Sequence, residues 1–514
     1  MSSLVFHHVS FAYDASLDGL FSGIDVGFGV GWTGIIGENG AGKSTFLRLS
    51  CRELEPRRGR IDAPASCVYC PQRTDDPKPE SSMFLTATDA EAFRIRGTLG
   101  IGEDWLDRWN TLSHGERKRV QIATSLWLQP DLLAVDEPTN HLDANTRLQI
   151  VQALRSYRGI GLLVCHDRDL LDGLCAHSLF VSPPHVILRS GGYTVAMKAI
   201  EDEEQAARED RKRLQQTRRR LEREIHVRRD RAQKAEGAKS LHGVAPRDHD
   251  AREKARAARD RDNGSGKNLR QLEGRVRQAT LRESAIHATP LRHLGIGLRS
   301  HPSDRNAVIR VAAGSLPLGP DRRLEYPDLL VQAQDRIAVT GPNGGGKSTL
   351  IRHIVATSAL PSERVLYIPQ EISAQESSEL LSEAKRLPRK GLGCVMQWVS
   401  RLGSDPRRVL ESRTPSPGEV RKLLLAVRMI DEPQLILLDE PTNHMDLPSI
   451  ECLEATLQET QCALVLVSHD RRLLEALATL EWSIAPAAPK SETHLLTTRR
   501  LRPYDCTLQR DALE

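Results

Sequence analysis

The fold of this chain is decided by the octapeptide GENGAGKS at residues 37–44, which recurs as GPNGGGKS at residues 341–348. Each copy lies between a short apolar run and a helical pattern, the strand–loop–helix context of a phosphate-binding loop. Glycines let backbone N–H groups approach anionic oxygens, and the dipole of the following helix favours negative charge there. The sequence therefore predicts two triphosphate sites.

The same downstream residues follow each octapeptide in the same order. They are a glutamine (Gln72, Gln370), a serine (Ser113, Ser416), an Asp-Glu pair (Asp136-Glu137, Asp439-Glu440) and a histidine (His166, His469). The serine and the aspartate are 23 residues apart in both copies, and the aspartate and the histidine are 30 apart in both. The chain therefore contains one nucleotide-binding unit twice.

Four residues of the octapeptides are predicted to neutralise phosphate charge. Lys43 and Lys347 would contact the β- and γ-phosphates, and Ser44 and Ser348 would bind Mg²⁺. The Asp-Glu pair ends a buried strand in each copy. Its aspartate would hold Mg²⁺ through the water shell, while its glutamate projects the other way and can polarise a water in line with the γ-phosphate.

The histidines follow apolar runs as His-Asp-Arg. An isolated histidine in such a place is more often a structural group. Because both copies carry it at equal spacing, we predict that His166 and His469 contact the γ-phosphate and, with the glutamates Glu137 and Glu440, form the catalytic set.

Bulk properties exclude some classes of protein. At 514 residues the chain is too long for one core, and no apolar run approaches the ~18 residues of a membrane helix. The N-terminus has no signal-peptide layout. Nine cysteines without repeating spacing predict reduced thiols and a cytoplasmic location. Cys67 and Cys70 form a Cys-x-x-Cys within a predicted strand, so no zinc site is expected there.

Strands alternate with helices in both copies, which predicts an α/β fold with a largely parallel sheet in each. We predict a first nucleotide-binding domain at residues 1–198, a helical hairpin at 199–290, and a second domain with a short C-terminal tail at 291–514. The hairpin is basic. Residues 211–282 carry 23 Lys and Arg against 10 Asp and Glu, and since the whole chain is only +4, the rest is acidic with a net charge of −9.

Apolar residues in the hairpin fit a coiled-coil seam: Leu214, Leu221 and Ile225 are followed by Leu269, Leu272, Val276 and Ala279. They predict two antiparallel helices, the first over Glu201–Lys234 and about 50 Å long, with an irregular basic tip. A basic hairpin on an acidic body suits insertion among RNA phosphates. The candidate RNA contacts are Arg218, Arg219, Arg220, Arg228, Arg229, Arg231 and Lys239.

The chain resembles the ATP-binding cassette ATPases, whose signature sequence is similar to LSHGE at residues 112–116 and, less closely, to PSPGE at 415–419. The resemblance implies a head-to-tail pair of cassettes: Ser416 and Gly418 would cap the ATP on Lys43, and Ser113 and Gly115 the ATP on Lys347. Gln72 and Gln370 match the Q-loops, with a role at Mg²⁺, and residues 140–143 and 443–446 match the D-loops. The further implied ATP contacts are Tyr13, Gly37, Asn39, Gly40, Gly42, Thr45, Gly341, Asn343, Gly344, Gly346 and Thr349.

Some positions depart from the cassette pattern. His114 and Pro417 replace a usual glycine, and Pro417 also removes an amide donor, so the Lys43 site is expected to close less tightly. Tyr13 stands where an aromatic residue stacks on adenine, whereas Gly314–Pro320 offers no aromatic side chain. Both sites are expected to bind and hydrolyse ATP, at unequal rates.

Three classes of cassette protein compete. A tandem importer ATPase has a short linker, and a DNA-repair ATPase carries its coiled coil inside a cassette. The ABC-F proteins match the chain best, with Pro-Thr-Asn-His-x-Asp after each catalytic glutamate. This resemblance implies a monomer without a permease that binds the ribosome at the exit site, near 23S rRNA and tRNA. Ser113 lies only 41 positions after Gln72, which favours the antibiotic-resistance members over general translation factors.

Overall fold

The computed structural model describes residues 3–13, 19–75, 77, 79–139, 142–239, 270–284, 307–412, 415–488 and 491–501. The chain forms two compact units. One comprises Met1–Ala196 with Arg292–Glu514 and contains both cassettes, and the other comprises Met197–Leu291.

The first cassette has a six-stranded sheet in the order β5-β6-β7-β3-β8-β9 and a three-stranded antiparallel sheet in the order β2-β1-β4. Its strands are β1 (Leu4–Phe11), β2 (Phe21–Phe28), β3 (Gly31–Gly37), β4 (Arg58–Asp62), β5 (Cys67–Cys70), β6 (Leu132–Asp136), β7 (Ile160–Val164), β8 (Cys175–Ser182) and β9 (His185–Ser190). Its helices are α1 (Lys43–Ser50), α2 (Pro79–Thr86), α3 (Ala90–Leu99), α4 (His114–Trp127), α5 (Ala144–Arg155) and α6 (Arg168–Leu174). Only β9 runs antiparallel in the larger sheet.

The second unit contains α7 (Tyr193–Lys239), which begins in the first unit, and α8 (residues 270–284). The predicted antiparallel pairing is confirmed. Gln215 Nε2 donates to Glu283 Oε1 at 2.9 Å, Arg229 pairs with Glu273 at 2.5 Å, and Leu221, Ile225 and Leu272 form a buried cluster. The predicted tip lies outside the described residues.

The predicted length of the first hairpin helix was wrong. With 47 residues, α7 is about 70 Å long, and it begins eight residues before Glu201. The apolar residues of its first turn explain the error, because Tyr193 and Ala196 are buried in the first unit and break the charged pattern that identifies the rest of the helix.

The second cassette has an eight-stranded sheet in the order β11-β12-β19-β18-β14-β17-β16-β15 and an antiparallel pair, β10-β13. Its strands are β10 (Ala307–Val311), β11 (Gly314–Pro317), β12 (Arg323–Tyr326), β13 (Leu329–Gln332), β14 (Arg336–Thr340), β15 (Val365–Ile368), β16 (Leu435–Asp439), β17 (Ala463–Val467), β18 (Leu480–Pro486) and β19 (Thr493–Arg500). Its helices are α9 (Lys347–Thr357), α10 (Ala374–Arg386), α11 (Arg389–Arg401), α12 (Pro406–Glu411), α13 (Pro417–Arg428), α14 (Leu447–Glu459) and α15 (Arg471–Leu477).

The predicted α/β fold with largely parallel central sheets is therefore confirmed. The strands that carry the site, β6 and β16, are buried along their whole length because neighbouring strands and helices cover both faces. In the first cassette a cluster of phenylalanines joins the antiparallel sheet to α1, with the rings of Phe6 and Phe46 stacked at 4.8 Å between centroids. This packing fixes α1, and with it the phosphate-binding loop.

Candidate nucleotide sites

Glycines shape both phosphate-binding loops. Gly42 and Gly346 precede α1 and α9 with φ of 91° and 100°, a left-handed conformation that side chains disfavour. A Cβ atom on Gly37 would lie 2.6 Å from the carbonyl oxygen of Val181, and one on Gly341 would lie 2.5 Å from that of Ile484. Only glycine fits at these two positions. The predicted contacts Ser44, Thr45, Ser348 and Thr349 lie in the first turns of α1 and α9.

The loop lysines occupy the centre of each loop. Lys43 Nζ donates to the carbonyl oxygens of Gly37 and Glu38 at 2.9 and 3.0 Å, and Lys347 Nζ donates to that of Gly341 at 2.7 Å. Burial lowers the pKa of both lysines, and the neighbouring carboxylates partly offset this effect. Backbone carbonyl groups thus take the place of water around each lysine, and these hydrogen bonds stabilise the conformation of the loop.

Four predicted residues of the first site meet at the end of β6. The Tyr69 hydroxyl donates a hydrogen bond to Asp136 Oδ2 at 3.0 Å, and burial raises the pKa of Asp136. Gln72 Nε2 donates to Glu137 Oε2 at 2.8 Å, and His166 Nε2 lies 3.3 Å from Glu137 Oε1. Glu137 has a φ of 45°, a strained conformation for a residue with a side chain.

The second site repeats this arrangement at the end of β16. Glu440 is 6% exposed with a φ of 50°, and burial raises its pKa to about 8. His469 Nε2 lies 3.5 Å from Glu440 Oε1 and 3.3 Å from Asn343 Oδ1. Burial, and then the charge of Lys347, lower the pKa of His469 to about 4, so this histidine is neutral at physiological pH.

The acidic residue beside Glu440 fits a hard cation. Both carboxylate oxygens of Asp439 are buried, and the Ser348 hydroxyl is their hydrogen-bonding neighbour. Ser348 Oγ lies 3.5 Å from Gln370 Oε1 in the same site. Oxygen atoms of carboxylate, hydroxyl and amide groups are the ligands that Mg²⁺ prefers, so the predicted metal residues form a suitable set.

Sequence reasoning missed two buried cations that connect the predicted loops. Lys118 is fully buried, and its Nζ donates to the carbonyl oxygens of Pro71 at 2.7 Å and Asp136 at 3.1 Å. Arg421 donates to the carbonyl oxygens of Gln370 at 2.6 Å and of Glu440 at 2.8 Å. Each lies five residues after its signature serine. This equal offset in the two copies is the sequence signal that could have identified them.

The signature serines begin helices α4 and α13. Ser113 Oγ donates to Glu116 at 2.8 Å and Ser416 Oγ donates to Glu419 at 2.9 Å, within a capping box in each case. Pro417 occupies the first helical position, where its ring fixes a helical φ. The substitution that removes an amide donor thus leaves the start of α13 intact.

The first phosphate loop contacts the second cassette directly. The backbone N–H of Asn39 donates to Asp446 Oδ2 and its Nδ2 donates to the carbonyl oxygen of His444, both at 2.8 Å. A Cβ on Gly418 would lie 3.7 Å from Asn39 Nδ2. The structure therefore brings the second signature and D-loop to the Lys43 site. In the first D-loop, residues 140 and 141 lie outside the described residues.

A further hydrogen bond connects the two cassettes: Arg147 Nη1 of the first donates to the carbonyl oxygen of His469 of the second at 3.0 Å. Ion pairs also join the two cassettes. Arg168 pairs with Glu454 at 2.8 Å, and Arg472 pairs with Asp169 at 2.7 Å and Asp172 at 2.6 Å. His166 and His469, the two histidines predicted to be catalytic, line the same small cavity between the cassettes.

The predicted adenine contact of the first site lies beside its loop. Tyr13 is 44% exposed, its hydroxyl is 2.9 Å from Thr45 Oγ1, and its ring packs edge-on against Phe11. Part of the Tyr13 side chain is thus accessible to a base.

The hairpin arginines differ in their surroundings. Arg218, Arg228 and Arg229 form ion pairs with Glu283, Glu224 and Glu273 at 3.0, 2.7 and 2.5 Å. Arg219 and Arg220 are exposed. The side chains of Arg231 and Lys239 lie outside the described residues. Their contact with RNA stays a prediction for all seven.

Comparison with known proteins agrees with this geometry. Residues 29–140 and 324–443 match a family model described as ABC transporter. The tylosin resistance ATP-binding protein TlrC of Streptomyces fradiae is 31% identical over 544 residues, which cover 92% of this chain and 95% of that protein. The ribosome protection protein VmlR of Bacillus subtilis is 28% identical over 467 residues, which cover 86% and 79%.

A crystal structure of the archaeal ribosome recycling factor aABCE1, in complex with a ribosomal stalk protein, shares the fold with a TM-score of 0.63 at 18% identity, covering 96% of this chain and 90% of that one. Two cassettes with paired loops, carboxylates and histidines define an ATP-binding cassette ATPase. More narrowly, the chain belongs to the ABC-F family. Among the helices that the structure describes, none is long and apolar enough to cross a membrane.

Proposed function

We propose that this ATPase acts on the ribosome in the cytoplasm and protects it against a ribosome-targeting antibiotic. The similarity to the tylosin resistance protein, which extends through both cassettes and the hairpin region, carries the proposal. In this proposal two ATP molecules close the cassettes, and the hairpin of α7 and α8 contacts 23S rRNA and tRNA near the exit site. Hydrolysis then opens the cassettes and releases the protein.

Each ATP would be held between one phosphate loop and the other cassette's signature. Lys43 and Lys347 would exchange their loop carbonyls for β- and γ-phosphate oxygens. The signature helices would add the amide groups and dipoles of their first turns. The contact of Asn39 with Asp446 supports this placement for the Lys43 site.

In hydrolysis, an oxygen of water forms a bond to the γ-phosphorus while the bond from that phosphorus to the bridging oxygen breaks. Glu137 or Glu440, in its ionised form, would accept a hydrogen bond from the attacking water and take its proton. The neighbouring His166 or His469 would donate a hydrogen bond toward the γ-phosphate. Mg²⁺ held by Ser44, Gln72 and Asp136, or by Ser348, Gln370 and Asp439, would neutralise phosphate charge.

Sedimentation with ribosomes tests the proposal. The variant with Glu137→Gln and Glu440→Gln keeps the shape of both sites but lacks the bases, so it should accumulate closed on ribosomes when ATP is added. Adding Arg219→Ala and Arg220→Ala should weaken this binding, since two exposed cations are lost. The matched control adds Arg228→Ala and Arg229→Ala, which remove two arginines that are ion-paired within the hairpin, and should weaken it less.

Drug susceptibility gives the second measurement. Expression of the native chain in a sensitive host should raise the inhibitory concentration of at least one drug among macrolides, lincosamides, streptogramins, pleuromutilins and phenicols. ATP-dependent binding without any change in susceptibility would contradict the protective role and indicate a general translation factor. Absence of ATP-dependent binding would contradict the ribosomal role as a whole.

A further inference from the structure

The loop between β11 and β12, residues 318–322, lies against the second phosphate-binding loop. A Cβ on Gly346 would meet Leu318 Cδ2 at 2.7 Å, and in the first cassette a Cβ on Gly42 would meet Leu20 Cδ2 at 2.8 Å. The leucines before β12 and β2 therefore wall the two loops in the same way. A side chain that this loop exposes to solvent would therefore lie close to a nucleotide bound at the phosphate-binding loop.

The two cassettes differ in what they present there. The first offers Tyr13 beside α1. The second has no aromatic residue from position 314 to 320, yet it places an arginine at the end of the same loop. Arg322 Nη2 donates to the carbonyl oxygen of Gly344 in the phosphate loop at 2.9 Å, and the side chain is exposed.

We infer that Arg322 binds the base of the nucleotide in the Lys347 site, with its guanidinium plane stacked on the purine. A guanidinium is planar and stacks on aromatic faces, which a lysine ammonium cannot do. The hydrogen bond to Gly344 fixes one edge of the group, and the residue is exposed to solvent.

This inference rests on ATP binding by the second cassette and is independent of any role at the ribosome. Arg322 is then a nucleotide-binding residue that takes the place of Tyr13, and the two sites recognise the base with different chemistry. Base binding at the second site would depend on the plane of a guanidinium, whereas at the first it would depend on an aromatic ring.

Titration calorimetry of the full chain with ATP tests this role. A background of Lys43→Ala with Glu440→Gln confines binding to the second site and prevents turnover there. In this background, Arg322→Ala should weaken ATP binding roughly 3- to 30-fold, the range of a cation–π contact. Arg322→Tyr keeps a flat face and should bind ATP within about threefold of the parent. Arg322→Lys keeps the charge but should behave like Arg322→Ala.

Two controls distinguish a contact of Arg322 with the base from a contact with phosphate. Inorganic tripolyphosphate should bind the parent and Arg322→Ala equally, and Arg323→Ala should leave ATP binding unchanged, since this neighbouring arginine contacts Glu325 instead. Circular dichroism verifies that each variant is folded. Restoration by lysine but not by tyrosine, or weaker tripolyphosphate binding in Arg322→Ala, would assign Arg322 to a phosphate and overturn the inference. Equal ATP binding by every variant, or none by the parent, would overturn it as well.

Discussion

Glu440 is a carboxyl group for which ionisation is unfavourable in the folded protein. Burial raises its pKa from an ordinary 4.5 to about 8. The folded state therefore holds this proton more tightly than the unfolded chain does. Its stabilising effect is complete below the unfolded pKa and is lost as the pH rises through the folded pKa, so the unfolding free energy falls across this interval.

We predict that replacing Glu440 with glutamine removes this pH dependence. Without nucleotide, the native chain should lose about 1.4 kcal/mol of stability per pH unit between pH 5 and 7 relative to Glu440→Gln. Thermal unfolding of both proteins across this pH range measures the difference, because other titrating groups contribute alike. Parallel pH profiles would show that Glu440 is ionised throughout.

The site residues that lie in repeated sequence motifs could be predicted, because each has an obvious chemical function. The residues that connect these motifs were missed. Lys118 and Arg421 donate to backbone carbonyls, which leave no mark in the sequence, so their equal offset from the signature serines was the signal available for them. The left-handed conformations of Glu137 and Glu440 were also outside the reach of sequence reasoning, since they depend on how the chain leaves a buried strand.

At the scale of elements, the signature glycines tolerate a methyl group to different degrees. A Cβ on Gly418 would lie 2.4 Å from the backbone oxygen of His444, while one on Gly115 would lie 2.9 Å from Leu142 Cδ2. Backbone cannot move without shifting the D-loop, whereas the end of a leucine side chain can rotate away. The helices α13 and α4 thus differ in how closely they approach their neighbours.

We predict that Gly418→Ala displaces α13 from the D-loop and lowers the ATPase rate by about tenfold or more, corresponding to ~1.4 kcal/mol in the barrier. Gly115→Ala should lower it by less than about threefold. Steady-state phosphate release by the two full-length variants gives the comparison. Equal losses would mean that both glycines act through the nucleotide alone.

Some helices and strands could be predicted from the local sequence, and others could not. The parallel strands were predictable because β6 and β16 are continuous apolar runs. The antiparallel strands β1, β2 and β4 were not, since they alternate irregularly and their register shifts within β1. The early start of α7 was missed because Tyr193 and Ala196 of its first turn are buried and interrupt the charged pattern of the rest of the helix.

At the scale of the whole molecule, the cassettes are joined by ion pairs near His166 and His469. Arg472 of α15 reaches Asp169 and Asp172 of α6 in the other cassette. Its neighbour Arg471 pairs with Glu475 in its own helix at 2.5 Å. These adjacent arginines therefore provide a test and its control: Arg472 forms ion pairs between the cassettes, and Arg471 forms one within α15.

We predict a coupling energy of about 0.5–2 kcal/mol between Arg472 and Asp169 in a double-mutant cycle of alanine variants, measured by denaturant unfolding. The cycle of Arg471 with Asp169 should be additive within about 0.5 kcal/mol. Additivity in both cycles would indicate that the Arg472 contact is too solvated to hold the cassettes together.

The bond from the Asn39 amide to Asp446 has a consequence for how such a protein can change over generations. A carboxylate encoded in the second half of the gene completes a loop encoded in the first. A substitution at either position alters a site assembled from both. The halves therefore cannot diverge or be exchanged between relatives independently, and recombination that replaces one of them must also supply a compatible partner for the other.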